Sequence, residues 1–172
     1  MSALGTVGKM LQNSLSRGGA KRTKKNPAPE LEKGTFDYIS EPKSDYFSVG
    51  FAKTDVMPND MDKTTYYVAG YKINNPAKGA LDPMTASAIW IDDQSGRGGV
   101  VFVSIDDIGL TNYDVGIIRD LLADFKKETG CRSINIMSIH NHASIDTVGF
   151  WGPLPRSGRN KKYMEMLRQK VK

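Results

Sequence analysis

Residues 100–142 read VVFVSIDDIGLTNYDVGIIRDLLADFKKETGCRSINIMSIHNH, and this stretch decides the fold. Val100–Ile105 is a continuous apolar run, the pattern of a strand buried on both faces. Thr111 has a side chain able to cap the free amides of a helix start. The apolar residues that follow, Val115, Ile118, Leu121, Leu122 and Phe125, fall on one face of a 3.6-residue helix. Lys126 and Lys127 suit the negative end of that helix, and Gly130 can take the left-handed conformation that stops it. Ile134, Ile136 and Ile139 then form a second β-branched strand. A strand, a crossover helix and a strand make a βαβ unit with two parallel strands. The expected fold class is therefore α/β.

Upstream, Phe47, Val49 and Phe51 alternate with Tyr46, Ser48 and Gly50, which predicts a first strand. Met57-Pro58-Asn59-Asp60 ends it in a turn, and residues 66–71 read as a second, short strand before the loop around Asn74-Asn75-Pro76. Thr85–Asp92 reads as a third, and the Gly-rich turn at 94–99 leads into Val100–Ile105. The sheet should thus be mixed. Downstream of the βαβ unit comes a Gly/Pro-rich loop at 148–158 and a basic, helical stretch at 161–172. Residues 46–172 are expected to form one folded unit, preceded by a basic tail or linker at 1–45. Within that tail Val7, Met10, Leu11 and Leu15 have the spacing of a short amphipathic helix.

The net charge of +5 is not evenly spread. Residues 1–27 carry six basic side chains and no acid, and residues 155–172 carry seven against Glu165 alone. The remaining body is acidic, with eleven basic and eighteen acidic residues. A nucleic-acid-binding domain places its basic stripe on the folded body, so that partner class is not expected. The tail suits electrostatic contact with an anionic membrane surface. Cys131 stands alone, which excludes an intrachain disulfide framework and a Cys-based zinc cage. It reads as a buried apolar residue at a strand start, with only Arg132 beside it as a basic neighbour. No apolar run reaches the roughly 20 residues of a membrane span, and the broken run at 1–15 is not a secretory signal. A cytoplasmic or membrane-peripheral location is the expectation.

The two histidines of the chain, His140 and His142, fall where the second strand of the βαβ unit ends. Parallel strands joined by a crossover end on one edge of the sheet, where open α/β sheets place ligands. Side chains two apart on a strand share a face, so both imidazoles can converge on one metal, or one can hold it while the other meets substrate. Zinc suits imidazole. Asp106 and Asp107, at the end of the neighbouring strand, are candidates to receive the free ring nitrogen of His140; a helix-start acid pair is the alternative. Phe150 and Trp151 are candidates to wall a substrate groove, with loop packing as the alternative. Hydrolases of the metallo-β-lactamase type follow HxH with Asp-His, which Ala143-Ser144-Ile145-Asp146 does not match. A TIM-barrel amidohydrolase carries HxH on its first strand, whereas several strands precede it here.

His140-Asn141-His142-Ala143-Ser144-Ile145-Asp146-Thr147-Val148-Gly149-Phe150-Trp151-Gly152 resembles the "HTHSGPDTxGxWG" segment of the neutral/alkaline non-lysosomal ceramidases. Weaker likenesses to that family run in the same order upstream: Val49 to Val56, the Ala69-Gly70-Tyr71 segment, Thr85 to Ile91, and Val101 to Asp106. Asn141 stands for Thr, and Ala143-Ser144-Ile145 for Ser-Gly-Pro, which implies a differently shaped loop. The resemblance implies the N-terminal part of a zinc-dependent amide hydrolase acting on sphingolipid-type N-acyl amides. It implies that His140 is a zinc ligand and His142 the catalytic neighbour that contacts the scissile carbonyl. The family's other ligands, a His, a Glu and a Tyr, come from later segments. A catalytic zinc needs three protein ligands, so the chain alone is expected to be inactive. The competing expectation is a non-catalytic module of the same fold, with basic ends for partner or membrane contact.

Overall fold

The computed structural model describes residues 45–172, together with the single helical position Lys24. The expected basic tail, including its amphipathic stretch, lies outside the described residues. The elements run β1 (Ser48–Asp55), β2 (Thr85–Asp92), β3 (Val100–Ile105), α1 (Asn112–Leu121), α2 (Ala123–Thr129), β4 (Ser133–Ser138) and α3 (Lys161–Val171). They form a four-stranded mixed sheet of order β1-β2-β3-β4. The first two pairings are antiparallel and β3–β4 is parallel, as the crossover requires. The α/β expectation holds.

The sheet buries one face. Ala86, Val101, Val103, Ile105 and Ile134 point inward and meet Ile118 and Leu122 from the crossover and Tyr163, Met164 and Leu167 from α3. β3 is therefore not buried on both faces as its apolar run suggested. Its burial alternates, with Val101, Val103 and Ile105 inside while Phe102 is 41% exposed. Among the described residues the helices cover only one side, so period-2 geometry leaves alternate side chains of each strand exposed.

The crossover starts as expected. Thr111 caps α1 in a reciprocal capping box with Asp114. It is two helices rather than one: at Leu122 the backbone leaves helical geometry, and the Leu122 amide is shared between the carbonyls of Ile118 and Arg119. The bend buries Leu122, and Phe125 of α2 meets Trp90 edge-to-face at 5.9 Å. Gly130, at φ 67°, ends α2. The basic C-terminal stretch is a packed helix. Tyr163, Met164 and Leu167 are buried, and Arg159 and Arg168 both turn inward onto the fully buried Asp114, at 2.5 and 3.6 Å.

Residues 66–71 do not form a strand. They make two isolated bridges, Tyr67 with Pro76 and Val68 with Ile145. The first is framed by two backbone bonds, from the Val68 amide to Asn75 O and from the Ala77 amide to Tyr66 O, both at 2.8 Å, and the pairing goes no further. The segment is pinned to the loop after β4 instead: the Ala69 amide donates to Ser144 O at 2.9 Å, and the Asp146 amide to Tyr67 O at 2.8 Å. Its other end is held by Tyr66, whose buried hydroxyl donates to Asp60 at 2.6 Å. Burial, reinforced by that carboxylate, pushes the Tyr66 hydroxyl pKa up to about 12.

Candidate active site

β4 ends at Ser138, and the chain then turns. The Ile139 amide still reaches back to Ile105 O, at 3.1 Å, and the Asn141 amide reaches Asp107 O, at 2.8 Å. Between them His140 takes a left-handed backbone conformation, φ 63°. Histidine is one of the few side chains enriched there. The strand-period argument for the two rings therefore does not apply, because the pair sits on a turn beyond the strand. The turn nevertheless achieves the convergence: His140 Nε2 and His142 Nε2 lie 3.1 Å apart, with ring centroids at 4.8 Å.

Each ring is held from behind. His140 Nδ1 lies 2.9 Å from Ile108 O. A carbonyl can only accept, so Nδ1 carries the proton of the neutral ring and Nε2 presents its lone pair toward His142. His142 is wedged between Tyr71, at a ring distance of 4.9 Å, and Gly70. Gly70 has φ +112°, and a β-carbon there would stand 2.7 Å from the imidazole, so this position needs glycine twice over. The buried His142 Nδ1 has no hydrogen-bond partner.

The loop after the pair is organised by Asp146. This fully buried carboxylate accepts from the amides of Val148 (3.1 Å), Gly149 (2.5 Å) and Trp151 (2.8 Å). Thr147 Oγ donates to Gly109 O at 2.6 Å, tying the loop to the β3–α1 connection. The Trp151 indole N–H donates to Gly70 O at 2.9 Å, which fixes the glycine against which His142 rests. The Asp-Thr-x-Gly-x-Trp spacing thus builds a frame around the histidine pair. The spacing was visible in sequence, but the positioning roles of Asp146, Thr147 and Gly70 were not read from it.

The acid pair lies otherwise than expected. Asp106 accepts from the amide and hydroxyl of Thr85, at 2.7 and 2.9 Å, and so fastens the start of β2. Asp107 is wholly buried, and neither oxygen has a well-formed hydrogen bond. Burial pushes its carboxyl pKa up to about 6; the Ser138 side chain partly offsets this, and the negative charge of Asp114 adds to it. The ring nitrogen of His140 is received by the carbonyl of Ile108 rather than by either carboxylate.

A cavity of about 640 Å³ opens beside the pair. His142 is on its wall, with Asp106 and Asn141 as polar neighbours and Met57, Met61, Val68, Leu81, Met84 and Ile145 supplying apolar surface. Phe150 and Trp151 do not line it. Phe150 is 41% exposed, and Trp151 acts as the brace described above.

The donor set fits part of a zinc site. His140 offers an unprotonated Nε2, and His142 Nε2, 3.1 Å from it, is close enough either to be a second ligand or to meet a molecule bound beside the ion. Among the described residues, no three His, Cys, Asp or Glu side chains gather around a common point. The two imidazoles supply at most two of the three or four protein ligands such a site takes.

No family profile matches the chain, and no curated protein matches it in sequence. Among solved structures, a ceramidase determined in complex with C2 superimposes on 73% of this chain with a TM-score of 0.53 at 13% identity. The chain spans 20% of that ceramidase's length. Its fold is ceramidase-like. No helix among the described residues is long and apolar enough to cross a membrane.

Proposed function

We propose that this chain is the histidine-bearing portion of a zinc-dependent hydrolase that cleaves a linear amide of the ceramide kind, an N-acyl lipid. One observation carries the reading: two imidazole Nε2 atoms meet 3.1 Å apart at the edge of a ceramidase-like sheet, beside a cavity with apolar walls. His140 is the proposed ligand, because the Ile108 carbonyl fixes its tautomer and leaves Nε2, on the side of His142, without a proton. His142 faces the cavity and is proposed to meet the scissile carbonyl, donating to the developing oxyanion or carrying a proton to the leaving amine. Zinc, when bound, supplies a water of pKa ~7 and polarises the carbonyl. The methionines and Leu81 along the cavity offer an acyl chain an apolar, adaptable surface. The ligands still required would come from outside the described residues, and contact with anionic membranes would run through residues 1–27.

The test separates the two histidines in a protein that carries this chain with its remaining ligands. His140→Ala should remove most of the zinc, since an open site that loses a ligand no longer holds the ion. His142→Ala should keep near-stoichiometric zinc and lose about 10²–10³-fold in turnover of an N-acyl amide. If both variants keep their zinc, or both keep their activity, the pair is structural. The second reading, a non-catalytic module, is favoured by the lack of a third ligand among the described residues. It predicts that zinc is absent from the unmutated protein as well.

A further inference from the structure

Among the described residues nothing covers the sheet face opposite the helices, and that face is apolar. Three rows of registered residues cross all four strands on this side: Val49-Ile91-Val100-Ser133, Phe51-Ile89-Phe102-Asn135 and Lys53-Ser87-Ser104-Met137. Val49, Phe51, Ile89, Ile91, Phe102 and Met137 are between 40% and 70% exposed. Phe47 and Ile139 extend the patch at 66% and 52%. Eight such side chains present on the order of 800 Å², the share one partner contributes to a standard interface. The largest apolar patch on an ordinary monomer is about 300–600 Å².

We propose that this face binds the same face of a second copy of the chain, forming a two-sheet sandwich with helices on both outer sides. Two features of the face favour a copy of itself. The first is charge: Lys53 is the only charged residue in the three rows, and it sits on the edge strand, where its head can reach water. At the Phe47 end the face is bordered by Asp93, Arg97 and Arg132, of which the first two pair with each other at 2.8 Å, so the opposed faces carry little net charge. The second is relief. In the first two rows β1 projects, with Val49 and Phe51 at 68% and 70% exposure, where β4 carries the smaller Ser133 and Asn135; in the third row Met137 stands on β4 and Lys53 on β1. A two-fold axis parallel to the strands sets Val49 and Phe51 of each copy over Ser133 and Asn135 of the other, and the stem of Lys53 over Met137. The contact is self-complementary and closes at two copies. Two sheets then pack about 10 Å apart with interdigitated side chains, as in a sandwich. The histidine pair sits on the turn after β4, at the sheet edge, so the proposal is independent of the hydrolase reading.

Light scattering on the full chain during size-exclusion chromatography tests the proposal. The expected mass is twice that of one chain over the micromolar range. Phe51→Glu should weaken association by at least about tenfold while leaving the far-UV circular dichroism unchanged, because Phe51 is exposed in the single copy. Lys170→Glu, an exposed site on α3, should leave the dimer intact. A double variant, Phe51→Cys with Asn135→Cys, gives a geometric check. The two positions share a row three strand spacings apart, roughly 14 Å, within one copy. Across the proposed interface they face each other about 10 Å apart, so a short bis-maleimide should yield covalent dimers, which Phe51→Cys alone should not. A monomer at every concentration overturns the proposal. So does a dimer insensitive to Phe51→Glu, or a ladder of higher oligomers. For a monomer, maleimide labelling of Phe51→Cys names the other occupant: slow labelling means the chain's own residues 1–44 cover the face, and fast labelling leaves it open to a different protein.

Discussion

Replacing Asp107 by Asn should stabilise the protein at neutral pH and remove a defined part of its pH dependence. Asp107 is 0% exposed and its carboxylate lacks a well-formed partner, so burial raises its pKa to about 6. The unfolded chain titrates the same group near 3.9. The folded state therefore binds this proton more tightly than the unfolded state. Stability from the group is complete below about pH 4, falls as pH rises to about 6, and is level above that. A gap of about two pH units is worth roughly 3 kcal/mol. Asn keeps the shape and never ionises, but it brings an amide that must find acceptors, at a cost of about 1 kcal/mol. Asp107→Asn should thus be about 1 kcal/mol less stable than the parent near pH 4 and about 2 kcal/mol more stable near pH 8. Urea denaturation of both proteins across that range measures the difference directly, and titrations elsewhere in the chain cancel. Two curves that stay parallel from acid to neutral pH would refute the argument, since Asp107 would then ionise in the fold without penalty.

Gly70→Ala places a β-carbon 2.7 Å from the His142 ring at a backbone angle of φ +112°, so the ring must retreat by about 0.7 Å to reach ordinary contact, with about 1–3 kcal/mol of backbone strain. Under the proposed function, turnover of an N-acyl amide should fall by about 10–100-fold with zinc retained, and unchanged turnover would mean that Gly70 does not set the ring position. Asp146→Ala strips the acceptor from three amides, and urea denaturation should record a loss on the order of 3–5 kcal/mol. A loss under about 1 kcal/mol would show that solvent replaces the carboxylate. Arg159→Met removes the closer of two guanidinium partners of the buried Asp114; with Arg168 still 3.6 Å away, the expected cost is about 2–3 kcal/mol, and Arg159→Lys should restore part of it in the same assay.

The β3–α1–α2–β4 unit was legible because its signals are local. Thr111 and Gly130 mark its ends by backbone chemistry that any context preserves, and the isoleucines of β4 need only a sheet to enter. The kink at Leu122 left no mark, since leucine favours an unbroken helix and nothing in the residues around it interrupts the apolar face. Residues 66–71 misled for the opposite reason. Their aromatic and β-branched content suits a strand, but a strand also needs a neighbour that runs alongside it, and this segment meets residue 76 on one side and Ile145 on the other for a single bridge each. The exposure of Phe102 was equally hidden. A continuous apolar run looks the same whether the second face is covered by helices, by another sheet or by nothing.

The histidine pair shows how a correct constellation can follow from an incorrect local geometry. Spacing two on a strand and spacing two across a left-handed turn can both bring imidazoles together, but only the turn brings Nε2 to Nε2 while His140 Nδ1 reaches Ile108 O. The hydrogen bonds that decide this come from Ile108 and Gly70, whose contribution is a carbonyl in one case and a missing side chain in the other. Neither residue type advertises a site. Asp106 and Asp107 did, as carboxylates next to the expected ligand, and the fold uses one to hold Thr85 and buries the other without a partner. Side-chain chemistry in the sequence therefore pointed to the two rings that meet, while backbone groups set their geometry. That is why the motif from His140 to Gly152 carries more information than its two histidines: Asp146, Thr147, Gly149 and Trp151 are the residues that hold the backbone groups in place.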